Sequence, residues 1–325
     1  MRRLCIGLLL LAALSSASAA QEASYPSRQV TLVVTAVPGG VTDVVGRALA
    51  QALTKAWGQP VIVENKGGAA HILGAEAVAK AAPDGYMLLV GESGTFTVNP
   101  TLLPKDKVPY DVEKDFTPIT GLVRIYQSIF AAKSLPVSNI ADLIALAKQK
   151  PGQITYGTAG VGSALHMNMA LFDSMAGVKM IPVHYRGATP ALNDLIGGHI
   201  DTMVVSVASG LPAYKAGQIK MLGVGAPKRM PLVPQVPTVS ESGLPGYEAT
   251  AWFGLFGPAG LPSDIVSKID QATIKVFDDP AFRARFLDPQ MFESMAGPPD
   301  AFAAYIKAER AKWAKVIRDD DIKIQ

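Results

Sequence analysis

The 325-residue chain has one cysteine, four histidines and 7% aromatic residues, and each scarcity removes a class of function. Cys5 falls inside a leader, "MRRLCIGLLLLAALSSASAA". There Arg2 and Arg3 precede a short apolar run, and small residues offer cleavage after Ala19 or Ala20. With residues 1–20 removed as a signal peptide, no thiol is left for a disulfide, a nucleophile or a metal site. His71, His166, His184 and His199 are scattered without metal-ligand spacing, so no metal is expected. Beyond the leader no run reaches about 18 apolar residues, the length a membrane span needs. The net charge of +3 falls to +1 once the leader's two arginines are gone, which leaves no electrostatic footprint for nucleic acid or anionic lipid.

Catalytic signatures are missing too. "GESGT" and "GVGSA" each fail the GxSxG nucleophile elbow. "GTAGVG" has its glycines out of order for a dinucleotide loop, and no GxxxxGK[ST] phosphate loop occurs. No cofactor is called for, and an enzyme would need a site that leaves no mark in the sequence.

What the sequence does contain is α/β alternation. "QVTLVVTA" (29–36), "PVIVEN" (60–65) and "YMLLVGESGT" (86–95) read as strands. After the first, Val44, Val45, Ala48, Leu49 and Leu53 fall on one helical face. From about Arg124 the pattern restarts with "IYQSIFAAK", a helix over 139–150, the strand "ITYGTAG", a helix over 163–176, and "MIPVHYRGATPALNDLIGG". Two similar units in tandem predict two lobes. The tail over 301–319 reads as a helix across the first lobe, and the Pro-rich stretch 226–249 reads as a surface connection between lobes.

Several strands run straight into glycine- or hydroxyl-rich turns at helix starts, the edge of an open α/β sheet where ligands bind. These turns hold Pro38, Gly39, Gly40 and Asp43; Ser93 and Thr95; Thr158, Ala159, Gly160, Gly162 and Ser163; and Gly187 and Ala188. Each offers unpaired N–H groups and roughly half a positive charge. Several aimed at one cleft could hold a carboxylate with Arg186 as the one nearby cation. Thr42, Asp43, Ser163 and Thr189 also suit plain helix caps. His166, one turn inside its helix among Leu165, Met167 and Met169, also suits the core.

Five collinear blocks bring these turns together: "VPGGVTDVVGRALAQAL", "VIVENKGGAAHILGAEAVAKAAPDGYMLLVG", "ITYGTAGVGSALHM", "VHYRGATPALNDLIGGHID" and "PTVSESGLPGYEATAWFGLFGPAGLP". Over essentially the whole mature chain they resemble the periplasmic solute receptors of tripartite tricarboxylate transporters, the Bug receptors. The resemblance implies a two-lobed Venus flytrap of the periplasmic-binding-protein type. The first lobe would comprise 21–124 and 226–325, and the second 125–225. It implies a monomer, exported to the periplasm, that passes a small carboxylate to membrane permease subunits. An orphan receptor signalling through a membrane kinase is the alternative.

By the same resemblance Thr158, Ala159, Gly160, Gly162, Ser163, Gly187 and Ala188 hold one carboxylate, and Pro38, Gly39 and Gly40 reach its other end through water. Val37 stands in the family's Pro-Phe turn, and His71 in a loop where small residues are common, read here as an exposed imidazole. Val205, followed by Ser206, occupies a place where many relatives carry aspartate. Val37 and Val205 are therefore expected to line a slot for a ligand without an amino group, with Asp43 or Glu92 as the only replacement for the aspartate.

Overall fold

The computed structural model describes residues 25–36, 38–67, 71–319 and 321–323. The leader and Val37 lie outside the described residues. The first lobe is built on parallel strands β1 (Val30–Val34), β2 (Val61–Asn65) and β3 (Met87–Glu92), ordered β2-β1-β3 and continued by antiparallel β9 (Thr250–Pro258) and β4 (Phe116–Ala132). The second repeats the plan with parallel β5 (Thr155–Thr158), β6 (Ile181–His184) and β7 (Thr202–Ser206). Antiparallel β4 and β8 (Ile219–Val224) complete it. The short β10 (Phe292–Ser294) pairs with β4 on the first-lobe side. Every parallel connection carries a helix, which is what a parallel crossover demands.

Burial on both faces explains the near-continuous apolar runs. Along β1 and β3 side chains alternate between two cores. Leu32 and Leu88 pack with Leu49, Leu53, Ile269 and Phe277 on one face, and Val33 and Leu89 with Phe96, Trp252, Phe256 and Phe302 on the other.

The lobes share β4. Its first half pairs with β9, and its last six residues, from Gln127, pair with β7 and β8. The predicted boundary at 124/125 thus falls inside one 17-residue strand. At the crossing three chain segments are sewn together. Gln127 N–H donates to Ala249 C=O (2.9 Å), Gly225 N–H to Gln127 C=O (2.7 Å) and Ala249 N–H to Gly225 C=O (2.9 Å). A Cβ on Gly225 would stand 2.5 Å from that of Ala249, so only glycine fits there.

Two segments pack differently from expectation. The stretch 226–249 is not merely a surface connection of the first lobe: Val233, Val236, Val239, Leu244 and Tyr247 are buried in the second lobe's core. Its apolar residues fall between prolines, so it carries no helical or strand period to reveal them. The C-terminal helix, Pro299–Asp319, spans both lobes. Phe302 and Ile306 enter the first-lobe core, and Trp313, Val316 and Ile317 the second.

Candidate functional site

Helices α1 (Val41–Trp57), α4 (Ala164–Ala176) and α5 (Ala188–Gly197) start directly after β1, β5 and β6; α2 (Ile72–Ala79) and α3 (Ile140–Gln149) lie between them in sequence. In the second lobe the starts of α4 and α5 are neighbours because Thr158 and His184 are paired at the ends of β5 and β6. Gly160 at φ 111° and Gly162 at φ 75° adopt left-handed backbone that other residues rarely do.

Much of this loop's polarity is spent on itself. Gly160 N–H donates to Thr158 Oγ1 (3.2 Å), Gly162 N–H to His166 Nδ1 (3.1 Å), and His166 N–H to Ser163 Oγ (3.2 Å). Ser163 N–H donates to Gly160 C=O (3.2 Å). Thr158 Oγ1 also lies 2.7 Å from His184 Nδ1. Ser163 is therefore the cap of α4, with its hydroxyl proton still available. The N–H groups of Gly160, Gly162 and Ser163, expected to face a ligand, are turned inward. Val161, Ala164 and Leu165 instead donate to none of the described residues. Ala188 and Thr189, the first turn of α5, are likewise unpaired, and Gly187 caps them without a side chain. Ala188 is one of the residues expected to hold the carboxylate and Thr189 one of the expected caps; Val161, Ala164 and Leu165 were not expected to, although the first positions of any helix are where such groups are left over.

His166 is buried. Burial first, then neighbouring His184, pushes its imidazole down to about 4. It is neutral at neutral pH, as an Nδ1 that accepts from Gly162 requires. Arg186 is exposed and makes no ion pair with a described residue. Ser206 caps the helix that follows β7, accepting from Ser209 N–H at 3.2 Å. Val205 is 2% exposed and packed in the second core, so it does not line an open slot. It is the penultimate residue of β7, paired with Ser128 of β4.

In the first lobe, Pro38, Gly39 and Gly40 form the turn into α1. Asp43 does not point across the cleft. Its carboxylate accepts from Gly39 N–H (2.9 Å), Arg47 Nε (2.9 Å) and Asn65 Nδ2 (2.8 Å), the last on the other oxygen. Burial acts to raise its pKa, but these donors bring it down to about 2. An acid at the third helical position thus reaches back past the N-cap Gly40 to the turn before it, and its charge favours the helix start. His71 is likewise committed rather than a free loop imidazole. Its Nδ1 lies 2.7 Å from Thr35 C=O and its Nε2 3.1 Å from Glu92 Oε1, while Glu92 Oε2 accepts from Thr42 Oγ1 at 3.4 Å. Ser93 and Thr95 are buried at the end of β3, and Thr95 Oγ1 has no partner among the described residues.

The lobes meet where 94–102, running on from β3, reaches the second-lobe loop. A Cβ on Gly162 would come within 2.6 Å of Leu102 Cδ2 and 3.7 Å of Val98 Cγ1. Among the described residues no cluster of three or more His, Asp or Glu could hold a metal, and no helix is long and apolar enough to cross a membrane.

Two α/β lobes of one plan, joined by shared β4 and returning β9, with helix starts gathered at strand ends where the lobes meet, define the periplasmic-binding-protein type of fold. Residues 45–322 match the tripartite tricarboxylate transporter family receptor, TctC, and the chain belongs to that family. It is 30% identical to protein BugT of Bordetella pertussis over 303 residues, 93% of this chain and 92% of that one. Among solved structures it superposes on R. palustris Rpa4515 with adipate at TM-score 0.80 and 34% identity, covering 92% of this chain and 99% of that chain. It is also similar to MatC from Rhodopseudomonas palustris with bound malate, at TM-score 0.76 and 34% identity, covering 90% and 100% respectively. These relatives are solute-binding receptors, not enzymes.

Proposed function

We propose that the protein, exported and freed of its leader, captures a small carboxylate without an amino group between its lobes. The ligand is a di- or tricarboxylate, aliphatic or aromatic, which the protein delivers in the periplasm to the membrane subunits of a tripartite tricarboxylate transporter. The observation that carries this reading is the set of unpaired N–H donors at the adjoining starts of α4 and α5: Val161, Ala164, Leu165, Ala188 and Thr189. Two helix starts side by side make an anion site without a buried cation. One carboxylate sits there, closed over by the 94–102 segment, and the 38–40 turn of the first lobe meets the other end. Adipate and malate in two relatives support the ligand class.

An amino group finds no acceptor in this arrangement. Asp43 is turned to Gly39, Arg47 and Asn65, and Glu92 already serves His71 and Thr42. Desolvating an unpaired ammonium costs several kcal/mol. A thermal-shift and calorimetry panel of mono-, di- and tricarboxylates tests both statements. The matching acid stabilises the fold by about 2.7 kcal/mol at a hundredfold excess over Kd. It is recovered chemically unchanged, and succinate outcompetes aspartate. A midpoint unmoved by every acid would overturn the assignment, and tighter binding of aspartate would overturn the argument about the amino group.

A further inference from the structure

We propose that His166 is the positioning residue of the carboxylate loop: its Nδ1 takes the Gly162 N–H inward, and this fixes which N–H groups the loop leaves for a ligand. The proposal rests on the carboxylate reading above for its effect on affinity, though not for its effect on the loop.

The geometry is a closed circuit. Ser163 Oγ accepts from His166 N–H at 3.2 Å, and His166 Nδ1 accepts from Gly162 N–H at 3.1 Å. One residue thereby holds both the Gly162 N–H and the Ser163 hydroxyl oxygen. With Gly162 directed at the imidazole and Gly160 at Thr158 Oγ1 (3.2 Å), the N–H of Val161 between them is the one left unpaired. In an alternating turn of this kind, turning one peptide plane over would exchange the inward and outward donors. Gly160 and Gly162, both in left-handed backbone, are the positions where such a turn meets least steric resistance. The histidine's acceptor, rather than the glycine-rich sequence, therefore selects the arrangement.

His166 is held in turn. Its ring packs edge-on to that of His184 with centroids 5.1 Å apart, and His184 Nδ1 is 2.7 Å from Thr158 Oγ1 at the loop's other end. Both imidazoles line a hollow of about 670 Å³ together with Tyr156 and Val161. That hollow lies beside the loop, which leaves the imidazoles as its supports.

Two substitutions separate the acceptor from the packing. His166→Asn keeps an oxygen near the place of Nδ1 but loses ring volume; His166→Leu keeps volume and loses the acceptor. Orphaning a buried N–H predicts that His166→Leu weakens adipate and malate binding about tenfold or more, with His166→Asn within about threefold of the unaltered protein. In the unliganded protein, the amide resonances of Gly162, Val161, Ala164 and Leu165 shift in the leucine variant and stay near their original positions in the asparagine variant. In the unaltered protein, ¹⁵N spectra show His166 with Nδ1 unprotonated and a scalar coupling across the hydrogen bond to Gly162 nitrogen.

A protonated Nδ1, or a leucine variant that leaves the four amides in place, would overturn the proposal. So would full affinity in the leucine variant with loss in the asparagine variant, the signature of packing alone. If the unaltered protein bound no acid of the carboxylate panel, the carboxylate reading would fall, and the amide and imidazole spectra would still decide the role of His166.

Discussion

Gly162→Ala should reduce affinity for the cognate carboxylate by about tenfold or more and lower stability by about 2 to 3 kcal/mol. Two costs combine. At φ 75° the alanine side chain is strained by about 1 to 2 kcal/mol. Its Cβ would also lie 2.6 Å from Leu102 Cδ2, where the first-lobe segment meets the second-lobe loop. Leu102 is 9% exposed and packed in the second core, so moving aside costs further packing. The wedge acts at the point the lobes must share, which couples a stability defect to a binding defect. Leu102→Ala in the same chain removes the clash and leaves the strain. A double-mutant cycle should accordingly give a favourable coupling of about 1 kcal/mol. Strict additivity, or an unchanged Kd for Gly162→Ala, would show that the lobes do not depend on this approach.

The second large effect is expected at Asp43. Asp43→Ala removes the acceptor of Gly39 N–H and one of the two acceptors of the Asn65 amide, which keeps Ala36 C=O at 3.1 Å, and releases Arg47. Gly39 is exposed and Asn65 half-buried, so each lost bond costs about 1 kcal/mol rather than a full desolvation penalty, and the sum is about 2 kcal/mol, with the exposed Arg47 contributing little. The pH dependence gives an internal check. Asp43 has its folded pKa depressed from 3.8 to about 2. Its ionised form therefore adds stability that is fully present above pH about 4 and is lost as the pH falls through about 2. That part amounts to about 1 to 2 kcal/mol after allowing for screening at the helix end. Denaturant unfolding of both proteins at several pH values should show the gap narrowing below pH 4. A gap under 0.5 kcal/mol at neutral pH, or one that widens in acid, would contradict the role given to Asp43.

The sequence was most informative where burial imposes a period. The strands over 30–34, 61–65 and 87–92 and the helices opening at Ile140 and Ala164 lie within the stretches read for them, and the helical face read over 44–53 lies inside the helix Val41–Trp57. Strand β4 was harder because its two halves serve different sheets without any break in composition. The stretch 226–249 hid its buried residues between prolines. At the site, residue types identified the loops but not their peptide orientations. Gly160, Gly162 and Ser163 stand where a carboxylate loop was expected, yet their N–H groups bond inward, and the free donors belong to Val161, Ala164 and Leu165, which have no distinctive side chain. Asp43 and His71 looked available because nothing local shows that Asn65, Thr35 and Glu92 come back to meet them. Such partners depend on tertiary contacts between elements 20 or more residues apart, beyond the reach of periodicity or capping rules.

Small-angle scattering with and without bound acid tests most directly whether the ligand is held between the lobes. A ligand that bridges two bodies favours their closed arrangement by its differential affinity for it. The protein, unfolded and refolded to strip any retained ligand, is measured alone and then with the acid that calorimetry shows to saturate it. The account predicts a smaller radius of gyration in the saturated sample; identical profiles at demonstrated saturation would contradict capture by closure of the two lobes.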